Sequence, residues 1–343
     1  MPQDVNMKRL LPMLPMLLAS CAAKFPVSDH SDGHEFFNEI PIDNGFGAVL
    51  KWQLTREPAP WPDSIPVTAT RPEASVDSGM RATWVGHATV LMQTPGLNLL
   101  TDPVWSPRVG PWSWVGSARK AAPGVREEDL PRLDAVLLSH DHYDHADMPT
   151  LRRLARRPGI VGIAPLGTAD LLREAGFAQV VALDWWEKAM LPTGDTVTLV
   201  PARHWGMRWP WNRNERLWGG FAVGSKAGRF YYAGDSGDGP HFAEIGRRLG
   251  PFELALIPIG AFLPRDFMAP QHIGPREAVA AARAVKARTS LGVHWGTFAL
   301  ADDGPSEPQD SLRAVLSTDT TAPDFRAVAI GQSVSVPRAR AVP

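Results

Sequence analysis

The chain is poor in cysteine: Cys21 is the only one in 343 residues, so no intrachain disulfide can form. Long apolar runs are missing too. None reaches the ~20 residues that a membrane-spanning helix requires. Neither sign of charge is in excess: 35 basic against 36 acidic side chains leave a formal charge of -1, which argues against a polyanion-binding surface and against nucleic acid as a partner. There is no internal repeat and no low-complexity tract. What remains is an ordinary globular composition, 44% hydrophobic and 21% charged. The length would allow two domains, although folds built on large sheets use ~250 residues as one unit.

The setting of the single cysteine is informative. Lys8 and Arg9 precede an apolar stretch from Leu10 to Leu18, the charged and hydrophobic parts of an export signal. Leu18-Ala19-Ser20-Cys21 resembles the bacterial lipobox, in which the cysteine becomes the lipidated first residue of the mature protein. Residues 1–21 are therefore expected to be an export signal, with Met7 as an alternative start. The mature chain would then sit in the bacterial cell envelope, held to the membrane surface by a lipid anchor. Ala22 lacks the aspartate that would hint at inner-membrane retention, so the periplasmic or outer-membrane side is expected. The plainer alternative is a frayed apolar terminus, and Pro12 and Pro15 favour it. Residues 22–79 read as an N-terminal arm, because prolines 58, 60, 62, 66 and 72 interrupt any regular period and predict an extended path over a domain surface.

From Met80 to residue 343 the texture changes. Short β-rich runs cover Arg81 to Val85, Thr89 to Gln93, Leu97 to Thr101, Leu133 to Ser139, Thr196 to Pro201, Arg229 to Ala233 and Glu253 to Ile259. Helices are predicted over Ala146 to Arg157, Thr168 to Ala175 and Pro275 to Ala287, the last with proline in its first turn. This mixture is α/β, with helices covering sheet faces.

The densest chemistry follows the run Ala135-Val136-Leu137-Leu138. His140-x-His142-x-Asp144-His145 leaves a strand, where alternate residues point the same way, so two histidines can grip one ion while the Asp-His pair reaches a second. Further ligand types stand at or near the ends of apolar strands downstream: His204, Asp235 and His294. This order resembles the metallo-β-lactamase superfamily, which implies an αββα sandwich with metals at one sheet edge. The resemblance assigns His140, His142 and His204 to a first ion, Asp144, His145 and His294 to a second, and Asp235 with a hydroxide as the bridge. Imidazole and carboxylate ligands suit two Zn2+, with iron or manganese as alternatives in one site. Asp102, at a strand end before Pro103, occupies the place of a carboxylate that orients a metal-bound histidine, or else is a turn aspartate. His87 reads equally as a buried structural histidine or a catalytic one.

A bridging aspartate without a cysteine ligand differs from the usual β-lactam-hydrolysing sites and suits a phosphodiesterase, where paired ions ~3.5 to 4 Å apart clamp a phosphate. Leu183-Asp184-Trp185-Trp186-Glu187, Gly250-Pro251-Phe252-Glu253, Ile257-Pro258-Ile259-Gly260-Ala261 and His294-Trp295-Gly296-Thr297-Phe298-Ala299-Leu300 resemble the N-acylphosphatidylethanolamine-hydrolysing phospholipase D family, over roughly Asp29 to Glu307. The resemblance implies a zinc phosphodiesterase acting on a phospholipid, with Asp144, Asp235 and His272 as catalytic residues. Gln271 and His272 would face the phosphoryl group, with His272 as proton donor to the leaving alkoxide or, failing that, a packed loop histidine. Trp84-Val85-Gly86-His87-Ala88 also resembles the ascorbate-phosphate lactonase branch. A lactonase is thus the second enzymatic reading, and a non-catalytic envelope lipoprotein the third.

Trp205, Trp209, Trp211 and Trp218 lie among Arg208, Arg213 and Arg216, and Trp105 to Lys120 adds Trp112, Trp114, Arg119 and Lys120. These rings either pack the loops or line an acyl groove with two walls. Arg152, Arg153, Arg156 and Arg157 read as a solvated helix face, with anionic lipid as the alternative.

Overall fold

The computed structural model describes residues 23–42 and 44–337. The proposed export signal and Cys21 lie outside the described residues. After a ten-residue helix α1 (Phe46–Thr55) the chain builds an antiparallel β1 (Met80–Gly86), β2 (Thr89–Thr94) and β3 (Leu97–Thr101). A small hairpin follows, β4 (Arg108–Val109) and β5 (Ser117–Ala118). The next strands join β3 in parallel: β6 (Ala135–Leu137), then helix α2 (Met148–Leu154), β7 (Val161–Pro165), helix α3 (Ala169–Ala175) and β8 (Gln179–Leu183).

A second sheet begins antiparallel with β9 (Lys188–Met190), β10 (Thr196–Val200), β11 (Gly220–Ser225) and β12 (Gly228–Tyr232). It then turns parallel through helix α4 (His241–Arg248), β13 (Phe252–Pro258), helices α5 (Arg265–Met268) and α6 (Pro275–Ala284), β14 (Ala287–Val293), helix α7 (Glu307–Thr318) and β15 (Asp324–Arg326). The last strand, β16 (Ser333–Val336), returns to pair with β1. The two sheets each have seven strands, in the orders β16-β1-β2-β3-β6-β7-β8 and β15-β14-β13-β12-β11-β10-β9.

Side-chain alternation explains why the sheets stack. Ala135, Leu137 and Ile163 of the first sheet meet Phe230, Tyr232, Leu254 and Leu256 of the second in one core. The residues between them, Val136 and Ala164, face the other way and are covered by Leu151 and Leu154 of α2 and Leu171 and Leu172 of α3. On the far side Tyr231, Ala255 and Ile257 lie beneath Phe242 and Ile245 of α4 and Ala278, Val279 and Ala282 of α6. Burying each of the larger side chains contributes about 1.5 to 3 kcal/mol, and strands apolar on both faces are stable only between two such layers. The expected αββα sandwich is thus the observed architecture. No helix among the described residues is long and apolar enough to cross a membrane.

The proline-rich stretch makes backbone and side-chain hydrogen bonds to this body. Ile65 N–H donates to Lys120 O and Thr70 N–H to Gly124 O, while the Trp61 indole donates to Asp303 O. Upstream of it the arm is more than a surface strap. Phe36 is fully buried in the inter-sheet core, and His30 bonds the Asp184 carboxylate at 2.7 Å.

Three predicted segments differ at their ends, and the helix expected over Ala146 to Arg157 is regular only over Met148–Leu154. The strand predicted from Leu133 keeps regular pairing only over Ala135–Leu137. The helix expected to reach Ala287 stops at Ala284, because Lys286 turns the chain with φ of 60° and Ala287 already begins β14.

Candidate metal centre

The strand exits converge at one end of the sandwich. The 140–145 segment follows β6, His204 follows β10, Asp235 follows β12 and His294 follows β14. A glycine lets them meet: at Gly234, φ +62°, an added Cβ would lie 2.9 Å from Gly219 O and 3.0 Å from Ser139 Cβ. His87, Asp102 and His294 also hold positive φ, at 53°, 32° and 64°. Such backbone costs of order 1 to 3 kcal/mol per residue and persists where surrounding contacts fix it.

His140, His142 and His204 form one group of donors. His140 Nε2 lies 3.0 Å and His204 Nε2 3.2 Å from His142 Nδ1. Two nitrogens bound to one tetrahedral zinc stand ~3.3 Å apart, given bond lengths of ~2.0 to 2.1 Å. Asp144, His145 and His294 form a second group: Nε2 of both histidines lies 3.4 Å from Asp144 Oδ2. Asp235 joins the groups, its Oδ2 being 3.1 Å from His145 Nε2, 3.0 Å from His294 Nε2 and 4.0 Å from His204 Nε2. His140, His145, His204, Asp235 and His294 are buried and His142 and Asp144 half-buried, yet His145 Nε2, His294 Nε2 and Asp235 Oδ1 have no hydrogen-bond partner. Unpaired buried polar atoms are costly, and a shared cation is what satisfies several lone pairs aimed at one space. The residues present therefore fit a bound metal.

The electrostatics agree. Burial, then the neighbouring histidines, holds His140 and His204 well below the usual imidazole range, so they are neutral and able to ligate. Burial opposes charge on Asp144 and Asp235, but His145 and the other facing histidines hold both carboxyls well below their ordinary value. The same coupling acts in reverse on two histidines. Against the effect of burial, Asp235, Asp144 and Asp102 raise His145 far above its usual value, and Asp235 with Asp144 raises His294 to about 9.

Around the donors a second set of groups fixes ring orientation. Asp102, fully buried, accepts from His145 Nδ1 at 2.6 Å, from Ser139 N at 2.7 Å and from the Ser139 and Tyr232 hydroxyls at 2.5 Å each. Ser139 Oγ accepts in turn from His140 Nδ1 at 2.9 Å, so one carboxylate orients two rings. His204 Nδ1 donates to the backbone carbonyl of Gln271 at 3.1 Å. Asn38, from the N-terminal arm, brackets the His204 backbone, accepting from its N–H at 3.1 Å and donating to its carbonyl at 2.8 Å. His87 donates to Asp144 Oδ2 at 2.9 Å, and burial holds its own pKa down to about 3.

Two more aspartates of the 140–147 segment are staples rather than donors to the cluster. Asp141 accepts from Met207 N and pairs with Arg216 at 3.3 Å, tying down the loop after His204. Asp147 gathers Trp105 N, Ser106 N and the Ser106 and Thr150 hydroxyls.

The remaining sequence-predicted residues are placed as follows. His272 stands at the cluster edge, Nδ1 3.8 Å from Asp235 Oδ2. Burial lowers it to about 4. Gln271 is buried with its amide 3.7 Å from Met268 Sδ, so it meets the site through its backbone carbonyl. The tryptophans do not form one groove: Trp218 is core, Trp205 packs against His142 with ring centroids 4.4 Å apart, and the others are exposed or half-exposed. Arg152 and Arg153 are spent on Glu174 and Glu127, in keeping with a solvated helix face.

Sequence reasoning missed Ser139, Tyr232 and Asn38. Ser139 adjoins the histidine motif and Tyr232 stands three residues before Asp235, so both could have been suspected. Nothing in the sequence marks Asn38.

Residues 97–295 match the Beta-lactamase superfamily domain. The chain is 42% identical over 251 residues to N-acyl-phosphatidylethanolamine-hydrolyzing phospholipase D 1 of Caenorhabditis elegans, covering 70% of each chain. It is 38% identical over 273 residues to an uncharacterized protein of Mycobacterium tuberculosis, covering 78% of this chain and 72% of that one. Among solved structures, a possible metal-dependent hydrolase from Veillonella parvula superposes with a TM-score of 0.60 at 16% identity, covering 76% of this chain and 100% of the other. That likeness speaks for the fold alone. The relatives, the shared domain and the His/Asp cluster identify a metal-dependent hydrolase, and the chain belongs to the N-acylphosphatidylethanolamine-hydrolysing phospholipase D family of the metallo-β-lactamase superfamily.

Proposed function

We propose that the chain hydrolyses N-acylphosphatidylethanolamine-like phospholipids to an N-acylethanolamine and phosphatidic acid, with two zinc ions as cofactor. The observation that carries this reading is Asp235 Oδ2, which lies within 3.1 Å of two donors of one group and 4.0 Å of a donor of the other. One carboxylate is thereby set to serve two adjacent cations, the arrangement suited to a phosphodiester. When bound, paired ions supply Lewis acidity for water activation and neutralise charge developing on the phosphoryl oxygens.

The chain's own residues do the rest. His140, His142 and His204 would hold one ion as neutral imidazoles, and Asp144, His145 and His294 the other. Asp102 keeps His145 turned inward, directly, and His140 through Ser139. His272 is neutral before substrate binds, because burial disfavours its charge. In that form its ring is a hydrogen-bond partner for a phosphoryl oxygen. To protonate the departing alkoxide it must first gain a proton, and a phosphodiester anion beside it favours that gain. Mass spectrometry of products from a mixed phospholipid extract tests the reading. N-acylethanolamine and phosphatidic acid appearing together support it, and unchanged lipid with turnover of a lactone panel refutes it.

The lipid anchor at Cys21 and a place in the cell envelope belong to the same proposal. They rest on the Leu18-Ala19-Ser20-Cys21 stretch. An anchored body would meet lipid substrates at the bilayer surface without a membrane-spanning helix.

A further inference from the structure

Two segments far apart in the chain carry tryptophans at the same spacing. The β4–β5 hairpin turns through Trp112-Ser113-Trp114, and the loop after His204 runs Trp209-Pro210-Trp211. The four rings meet. Trp114 stacks on Trp112 with centroids 5.7 Å apart, Trp112 meets Trp209 edge-on at 5.7 Å, and Trp209 stacks on Trp211 at 5.5 Å. Stacking hides little of them: Trp112, Trp114 and Trp211 are 52%, 74% and 75% exposed. Clustered aromatic surface left in water marks a place that something else covers.

The charge beside these rings is positive. Arg108, at the base of the hairpin, donates to Gly116 O; Arg208 donates to the carbonyls of Asp141 and Ala146; Arg213 lies over the Trp205 ring. Their contacts are carbonyls and rings, so among the described residues no carboxylate pairs with any of the three. Between the hairpin and the start of α2 lies a cleft of about 320 Å³ lined by Trp112, Arg108, Tyr143, Arg152 and the already saturated Asp147, with Arg208 entering from the loop. Tyr143 stands between His142 and Asp144 in the chain and donates to Arg208 O at 2.7 Å. A hydrogen bond therefore ties the loop that carries Trp209 and Trp211 to the segment that carries His142 and Asp144.

We propose that Trp114, Trp112, Trp209 and Trp211 form the surface by which the body docks on a phospholipid bilayer containing anionic lipid. The proposal rests on the phospholipid reading of the site and adds where the membrane lies. Indole rings are apolar bodies with one polar N–H and settle at the level of the head groups, and arginine forks match phosphate oxygens. A glycan is a poorer occupant. The two stacked pairs are turned 63° to each other at Trp112 and Trp209, which breaks a continuous sugar-binding ladder, and a neutral sugar has no use for three unpaired cations.

The test uses the full chain, zinc-loaded, with Cys21→Ser in every arm so that no lipid anchor contributes. Vesicles of two parts phosphatidylcholine to one part phosphatidylglycerol are sedimented with the protein, and tryptophan quenching by brominated acyl chains is read in parallel. Trp112→Ser with Trp114→Ser should weaken binding about tenfold or more and reduce quenching, as expected when two large rings no longer leave water. Trp114→Ser alone, at the exposed hairpin tip, should show the same direction if the double variant folds poorly. Arg108→Gln with Arg213→Gln should weaken binding to these vesicles but not to pure phosphatidylcholine. Unchanged binding and quenching in the tryptophan variants would overturn the proposal, as would retention on polysaccharide in place of vesicles. Turnover of a soluble short-chain N-acyl phosphodiester separates the two readings. Its absence from the wild type counts against the phosphodiesterase, whereas vesicle binding that depends on the rings stands regardless.

Discussion

His87 donates from Nε2 to Asp144 Oδ2 at 2.9 Å, the same oxygen that faces Nε2 of both His145 and His294 at 3.4 Å. The backbone of His87 is held as well: Thr297 Oγ1 accepts from its N–H, and its carbonyl accepts from His294 N and from the Trp84 indole. One residue therefore positions two donors of the same group, one through its ring and one through its main chain. His87→Ala should lower metal affinity by ~10 to 100-fold, the size of loss seen when an outer partner of a ligand is removed. His87→Gln, which keeps a donor, should recover part of it. Competition against a graded series of chelators measures both, and equal affinities in all three proteins would leave His87 a packing residue.

Asp102→Asn should weaken metal binding by a similar ~10 to 100-fold, because an amide cannot accept from His145, Ser139 and Tyr232 together. Tyr232→Phe removes one of these donors and should cost only about 0.5 to 1.5 kcal/mol of stability, with ring orientation preserved. Chelator competition and chemical denaturation distinguish the two outcomes.

Elemental analysis of purified protein should find about two zinc ions per chain, since the seven proposed ligands divide into two groups sharing Asp235. Asp235→Asn should remove most activity, and activity surviving with a single ion would refute the paired assignment. Zinc uptake by the apoprotein should also release protons. His294 is raised to about 9 and His145 well above the usual imidazole value, so both are charged at neutral pH and must lose a proton to ligate. Apparent affinity should rise with pH through neutrality, and the part of that rise that comes from His294 should end above about 9. Indicator-dye measurement of proton release on zinc addition gives the sign directly.

In water enriched with oxygen-18, the label should appear in phosphatidic acid and be absent from the N-acylethanolamine, because attack at phosphorus breaks the bond to the ethanolamine oxygen. Label in the alcohol would mean attack at carbon. His272→Ala should slow natural alkoxide leaving groups far more than an activated nitrophenyl diester, whose leaving group needs no proton. Equal slowing would remove His272 from the acid role.

Labelled palmitate should enter the full-length protein in a bacterial host and be absent from Cys21→Ser. Label in the variant, or in neither protein, rules out an anchor at Cys21.

The fold and the donor set were legible for a common reason. The cluster hangs on strand ends, and an apolar run followed by His, His, Asp and His within six positions, 140 to 145, announces both the strand and its exit. His204, Asp235 and His294 repeat that grammar singly. Contacts made across the fold carry no local pattern. Asn38 is an ordinary loop residue until its pairing with His204 is seen, and Tyr232 reads as one more aromatic in a buried strand. Exposure is equally hidden: Trp218 and Trp211 are seven positions apart, yet one fills the core and the other faces water, since no period relates residues of an irregular loop.

The bracket that Asn38 places on His204 spans 166 positions of sequence. Residues made early in synthesis are thus required by a ligand made much later. The arm is seated by Phe36, which lies in the core between the two sheets, so the cradle of His204 is complete only in the assembled sandwich. A chain without its first forty residues would keep the strand ends that carry the donors yet lose both contacts that hold the His204 backbone in place.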